Sequence, residues 1–145
     1  MRYVPVYKVQ LVREKSVKAY TNSLNSPTEA VDIIRDFIGN IDREIFLVVL
    51  VNTKNKLIGI NTVSVGSLNA SIVHPREVLK PAILANAAGI IIGHNHPSGD
   101  PTPSREDLDI TKRLGEACEI IGIKLLDHII VGDGQYISFK ERGFF

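Results

Sequence analysis

Residues 89–111 read GIIIGHNHPSGDPTPSREDLDIT, and the reading of this stretch decides the fold. The apolar run Gly89–Gly93 is too short for a comfortable helix and suits a strand covered on both faces. His94 and His96 follow directly. In extended backbone, side chains two apart share a face, so both imidazoles point the same way where the strand emerges. Pro97 ends any ladder, and the Pro- and Gly-rich PSGDPTPS forms an ordered turn. A helix follows at 105–121. At 100° per residue, Ile110, Thr111, Leu114, Cys118 and Ile121 gather on the side of Asp107, whereas Glu106, Asp109, Lys112, Arg113, Glu116 and Glu119 fall opposite. Asp107 therefore heads the apolar stripe.

Working outward, alternating strands and helices predict an α/β domain with a mixed sheet flanked by helices. VPVYKVQLV predicts a strand near 4–12. SPTEAVDIIRDFI predicts a helix at 27–38, with Ser26 and Glu29 as a capping box and Pro27 at the first helical position. Two apolar strands are expected near 45–51 and 57–64, joined by NTKNK. A helix opens near Pro75 with Gly89 beyond its end, and Pro81 either kinks it or delays its start. IKLLDHIIVG and QYISF close the chain as strands around Gly132–Gly134.

The 145 residues suit one domain over 1–145, with 44% hydrophobic and 23% charged residues, an ordinary globular composition. No apolar run is long enough for a membrane span, and no signal-peptide pattern opens the chain. The single cysteine, Cys118, allows no intrachain disulfide, excludes a cysteine-cluster zinc site and points to the cytoplasm. A net charge of +1 argues against a large phosphate-gripping surface. Residues 1–20 are uneven, with Arg2, Lys8, Arg13, Lys15 and Lys18 against Glu14 alone. The bland reading is an edge strand blunted by lysines; the alternative is a nucleic-acid-binding arm.

A carboxylate on an apolar stripe needs a partner, because a buried unpaired charge costs several kcal/mol. His94 and His96 with a divalent cation supply one. Two imidazoles and a carboxylate, with one position left for solvent, form the ligand count of a catalytic zinc site. The helix dipole opposes a cation by only about 0.3–1 kcal/mol, against zinc coordination on the order of 10 kcal/mol. Ser104 and Asp107 also have capping-box spacing, which alone explains both residues. Asp100 is the nearest alternative ligand and reads as a turn former.

The spacing His94-x-His96, seven residues, Ser104, two residues, Asp107 resembles the motif of the JAB/MPN/JAMM metalloprotease superfamily. The longer wording HPREVLKPAILANAAGIIIGHNHPSGDPTPSREDLDIT…LLDHIIVGDG resembles its RadC branch, over about residues 26–143. That resemblance implies a cytidine-deaminase-like fold and one Zn2+ held by His94, His96 and Asp107. It further implies a stand-alone domain, without the helix-hairpin-helix region that precedes it in longer members. Ser104 is implied as hydrogen-bond donor to the developing oxyanion. A glutamate opening an upstream strand is implied as general acid/base; Glu44 fits it, with Asp42 as neighbouring rival. Asp127 and His128 belong to the same wording but lie on opposite strand faces. They read as structural, His128 as a hydrogen-bonded core histidine.

The expected function is a zinc-dependent peptidase or isopeptidase with metal-activated water as nucleophile and a peptide or protein substrate. The alternative is a nucleic-acid-binding or processing module associated with DNA repair. A binding domain that keeps the fold without activity ranks below the hydrolase, because every ligand is present.

Overall fold

The computed structural model describes residues 1–66 and 73–145. Among them the order is α1 (Pro27–Ile38), β1 (Glu44–Val51), β2 (Leu57–Gly66), α2 (Pro75–Leu84), β3 (Gly89–Asn95), α3 (Arg105–Ile121), β4 (Lys124–Val131) and β5 (Tyr136–Ser138). The strands form one mixed sheet in the order β2-β1-β3-β4-β5. β3 and β4 are parallel, with α3 as their crossover, and the other neighbouring pairs are antiparallel. The α/β class with a mixed sheet is as expected.

The period of two divides the sheet between two cores. Leu47, Val49 and Val51 of β1, Ile91 of β3 and Ile129 and Val131 of β4 pack beneath α1. Phe46, Val48 and Leu50, with Ile90 and Ile92, face α2 and α3. β3 lies in the middle and is buried along its whole length, which is why it reads as an unbroken apolar run. Glu44 and His94 continue the even-numbered face, toward α2 and α3. A Cβ on Gly93 would stand 2.7 Å from Ile34 Cδ1, so this glycine lets α1 approach the sheet.

Several expectations are corrected. No strand forms at 4–12: residues 1–19 are exposed and outside the ladders of the described residues. Alternation there has no neighbouring strand to reward it, and β-propensity is largely a property of neighbours. A bridge between Ser23 and Lys56 and the buried Leu24 tie this end of the chain to the sheet. Helix α1 has the expected limits, yet Ser26 makes no capping bond; Glu29 Oε2 accepts instead from the Asn25 N–H at 2.7 Å. Helix α2 begins at Pro75 with Pro81 inside it. Its end is turned by Asn86 at φ 54°, and Gly89 already belongs to β3. On α3, Asp107, Thr111, Leu114 and Cys118 are buried as the wheel predicts, but Ile121 is half exposed at the frayed end.

Candidate metal centre

Helix α3 starts where its first turn can reach β3. Ser104 is its N-cap: Ser104 Oγ accepts from Asp107 N–H at 3.1 Å, and Ser104 N–H donates to Asp107 Oδ2 at 2.8 Å. This reciprocal pair aims the Asp107 carboxylate inward. Asp107 Oδ1 lies 3.1 Å from His94 Nε2, and Oδ2 lies 3.1 Å from His96 Nε2. The two Nε2 atoms are themselves 3.1 Å apart. Glu44 opens β1 beside them, with Oε1 3.8 Å from His94 Nε2.

One donor atom from each of Glu44, His94, His96 and Asp107 lies within 4.8 Å of every other, so this group can hold a metal ion. The spacing fits zinc: ligands about 2.0–2.1 Å from a tetrahedral ion stand about 3.3 Å from one another. His94 is fully buried, while Glu44, His96 and Asp107 keep a little exposure, so the cluster is open on one side.

Both imidazoles are oriented from behind. His96 Nδ1 donates to Asp100 O at 2.9 Å, leaving Nε2 for the cluster. The His96 backbone N–H reaches Val131 O at 3.0 Å, and Asp133 N–H reaches Gly99 O at 2.8 Å. The loop after the histidines is thus moored to the β4–β5 turn. Its tightest contact is at Gly132, where a Cβ would come 2.3 Å from Gly99 O. His94 Nδ1 is 2.9 Å from His128 Nε2, whose Nδ1 in turn meets Thr111 Oγ1.

Electrostatics agree with this geometry. Burial raises the Asp107 carboxyl on its own, but the hydrogen bonds from His94 and His96 overcome it and hold the group well below the ordinary carboxylate range. His96 is raised above 6.5, chiefly by its bond to Asp107, against the opposing effect of burial. Full burial pushes His128 well below 6.5, so it is neutral. Burial also raises Cys118 to about 11, which makes it an inert core thiol.

The expected residues His94, His96, Asp107 and Glu44 come together, with Ser104 at the rim. Asp42 does not join them; its side chain is exposed and lies 3.9 Å from Arg43 Nε. Asp100 points away, with Oδ1 accepting from Thr102 N–H and Thr102 Oγ1. Asp127 accepts from Ser138 Oγ at 2.6 Å and from the backbone N–H groups of His128 and Lys140, fastening the last strands.

Two contributors were missed in the sequence, whereas His128 is the hydrogen-bonded core histidine expected. Asn95 Oδ1 accepts from Ile45 N–H at 2.7 Å and its Nδ2 donates to Arg43 O at 2.9 Å, which clamps the backbone on either side of Glu44. Thr111 and His128 back His94. The polar Asn95 in a run of strand residues was a signal for the first; Thr111 on the apolar stripe was one for the second.

Comparison with known proteins gives a consistent picture. The sequence matches the family described as RadC-like JAB domain over residues 24–144. It is 56% identical to a UPF0758 protein of Caldanaerobacter subterraneus subsp. tengcongensis over 123 residues, covering 85% of this chain and 53% of that protein. A UPF0758 protein of Clostridium acetobutylicum is 55% identical over 132 residues, covering 90% of this chain and 58% of that protein. One from a Geobacillus strain is 50% identical over 138 residues, covering 94% and 61% respectively. The chain thus spans somewhat over half the length of the curated relatives it matches.

Proposed function

The chain belongs to the family of RadC-like JAB domains, and from that premise we propose that it is a zinc-dependent hydrolase of amide bonds, peptide or isopeptide. The observation that carries this reading is the convergence of Glu44, His94, His96 and Asp107 within 4.8 Å. His94, His96 and Asp107 would hold the ion. Zinc so held supplies Lewis acidity, lowering the pKa of water toward about 7 and polarising a carbonyl.

The chain's own groups do the rest. Glu44 Oε1, 3.8 Å from His94 Nε2, takes the proton of the attacking water and delivers it to the leaving amine. Ser104 Oγ accepts the capping bond through a lone pair, so its own proton stays available for the developing oxyanion. Glu44→Gln keeps shape and hydrogen-bonding capacity but not the base. Turnover of peptide and isopeptide libraries by the zinc-loaded protein tests the reading. Wild type should cleave and Glu44→Gln should not; equal turnover removes Glu44 from the mechanism, and no turnover by wild type removes the hydrolase.

A second reading, a nucleic-acid module associated with DNA repair, is favoured by residues 1–19, where exposed Arg2, Lys8, Arg13, Lys15 and Lys18 are interleaved with exposed Tyr3 and Tyr7. Deleting the arm should then abolish binding to single-stranded DNA at low salt. Absence of binding by the intact chain under those conditions rejects it.

A further inference from the structure

We infer that Thr111 and His128 are positioning residues that hold a proton on His94 Nδ1, so that Nε2 is the ring nitrogen presented to the cation position. The inference rests on the metal-centre reading above and adds two residues outside the ligand cluster.

The polarity of the chain follows from its far end. Thr111 Oγ1 lies 2.8 Å from the backbone carbonyl of Asp107, which can only accept. The single hydroxyl proton belongs between those oxygens; turned toward His128, it would leave two lone-pair oxygens facing each other at that distance. Thr111 Oγ1 therefore accepts from His128 Nδ1–H. A neutral imidazole has one donor and one acceptor, so His128 Nε2 is bare and accepts from His94 Nδ1–H at 2.9 Å. His94 Nδ1 thus carries a proton, and Nε2 is the ring nitrogen left to face the cluster, 3.1 Å from both His96 Nε2 and Asp107 Oδ1.

His128 is held for this task. It is fully buried, stacked on Phe139 with ring centroids 4.2 Å apart and edge-on to Phe46 at 5.9 Å. Rotation of the ring would cost both hydrogen bonds, with no water to replace them. The chain also begins and ends on ligands: His94 at one end and the backbone of Asp107 at the other. Both are thereby fixed relative to each other before any ion arrives.

Two measurements test this. In the metal-free, 15N-labelled full chain, long-range proton–nitrogen correlation should show His128 protonated at Nδ1 and bare at Nε2. A proton on His128 Nε2 overturns the inference whatever the protein binds. Zinc affinity is then measured by competition with a chelator for wild type, His128→Phe and His128→Gln. His128→Phe keeps the aromatic packing but removes the acceptor, and should weaken zinc about 10–100-fold. His128→Gln can accept from His94 and donate to Thr111, and should stay within a few-fold of wild type. Unchanged affinity in His128→Phe, or an equal loss in His128→Gln, overturns it. Failure of wild type itself to bind zinc would sink the metal reading, while the tautomer spectrum still decides the relay.

Discussion

The Asn95 side chain holds the backbone on both sides of Glu44, through Ile45 N–H and Arg43 O. β3 ends at this residue, so a side-chain clamp takes over where the ladder stops. Asn95→Ala strands a buried donor and acceptor, at a cost of about 1–3 kcal/mol. Zinc affinity should remain near wild type, because His94, His96 and Asp107 keep their own supports. Amide turnover should fall through kcat rather than KM, since Glu44 loses its position. Denaturant titration, chelator competition and steady-state kinetics on one preparation check the three parts; a loss of zinc affinity matching the loss of kcat would contradict this division.

Gly132 predicts a different pattern. Its Cβ position lies 2.3 Å from Gly99 O and 2.8 Å from Pro101 Cδ, both parts of the loop that carries His96. Backbone cannot swing aside as a side-chain end can, so Gly132→Ala must push the loop off the β4–β5 turn. Stability should drop by about 1–3 kcal/mol, in the range for overpacking. Zinc affinity should fall with it, because His96 leans on Val131 O and Asp100 O. Gly115→Ala, inside α3 where a Cβ meets nothing within 4 Å, is the control: it should raise stability by about 0.5–1 kcal/mol and leave zinc affinity unchanged.

How much of this was legible in the sequence depends on the range of the interactions. The β3–α3 stretch is governed by local rules: an apolar run, a proline stop, a capping box and a helical stripe. Those rules placed His94, His96, Ser104 and Asp107 without a structure. The N-terminal segment obeys a local rule too, alternation, yet a strand exists only where another strand receives it. Residues 1–19 have none among the described residues. Ser26 failed as a cap because its Oγ pairs with Thr28 Oγ1 at 3.0 Å, while Glu29 accepts from the Asn25 N–H rather than from Ser26. Thr111 and Asn95, and the partners of His128, escaped for a third reason. Their roles lie in contacts across 17, 34 and about 50 residues of chain, which spacing cannot reveal.

Ser104 has two separable jobs. Ser104→Ala removes the Oγ acceptor for Asp107 N–H and should destabilise the protein by about 0.5–2 kcal/mol. Ser104→Asp keeps a capping acceptor but lacks the hydroxyl donor, so its stability should remain near wild type. If the hydroxyl also serves the oxyanion, both variants lose about 10²–10³ in kcat. A Ser104→Asp protein with wild-type turnover would confine the serine to capping.

The last prediction concerns pH, and the metal-free and zinc-loaded forms should respond with opposite signs. In the metal-free protein His96 is raised above 6.5 by its bond to Asp107. A raised histidine contributes stability that is complete below 6.5 and is lost as pH climbs through the raised value. Asp107 is depressed below 3.8, so its contribution is present above 3.8 and disappears only in stronger acid. Their pairing therefore supports the metal-free fold between these limits and fades toward neutral and alkaline pH. Zinc requires the same His96 Nε2 without its proton, so acid competes with the ion, up to about tenfold in affinity per pH unit below the raised value. Ligand stabilisation follows affinity. The difference in Tm between protein with excess zinc and protein with chelator should be small near pH 6 and widen toward pH 8, as the metal-free form weakens and the loaded form gains. Thermal unfolding at constant ionic strength across that range measures both terms together. A gap that stays constant with pH would mean that His96 does not exchange a proton for the ion.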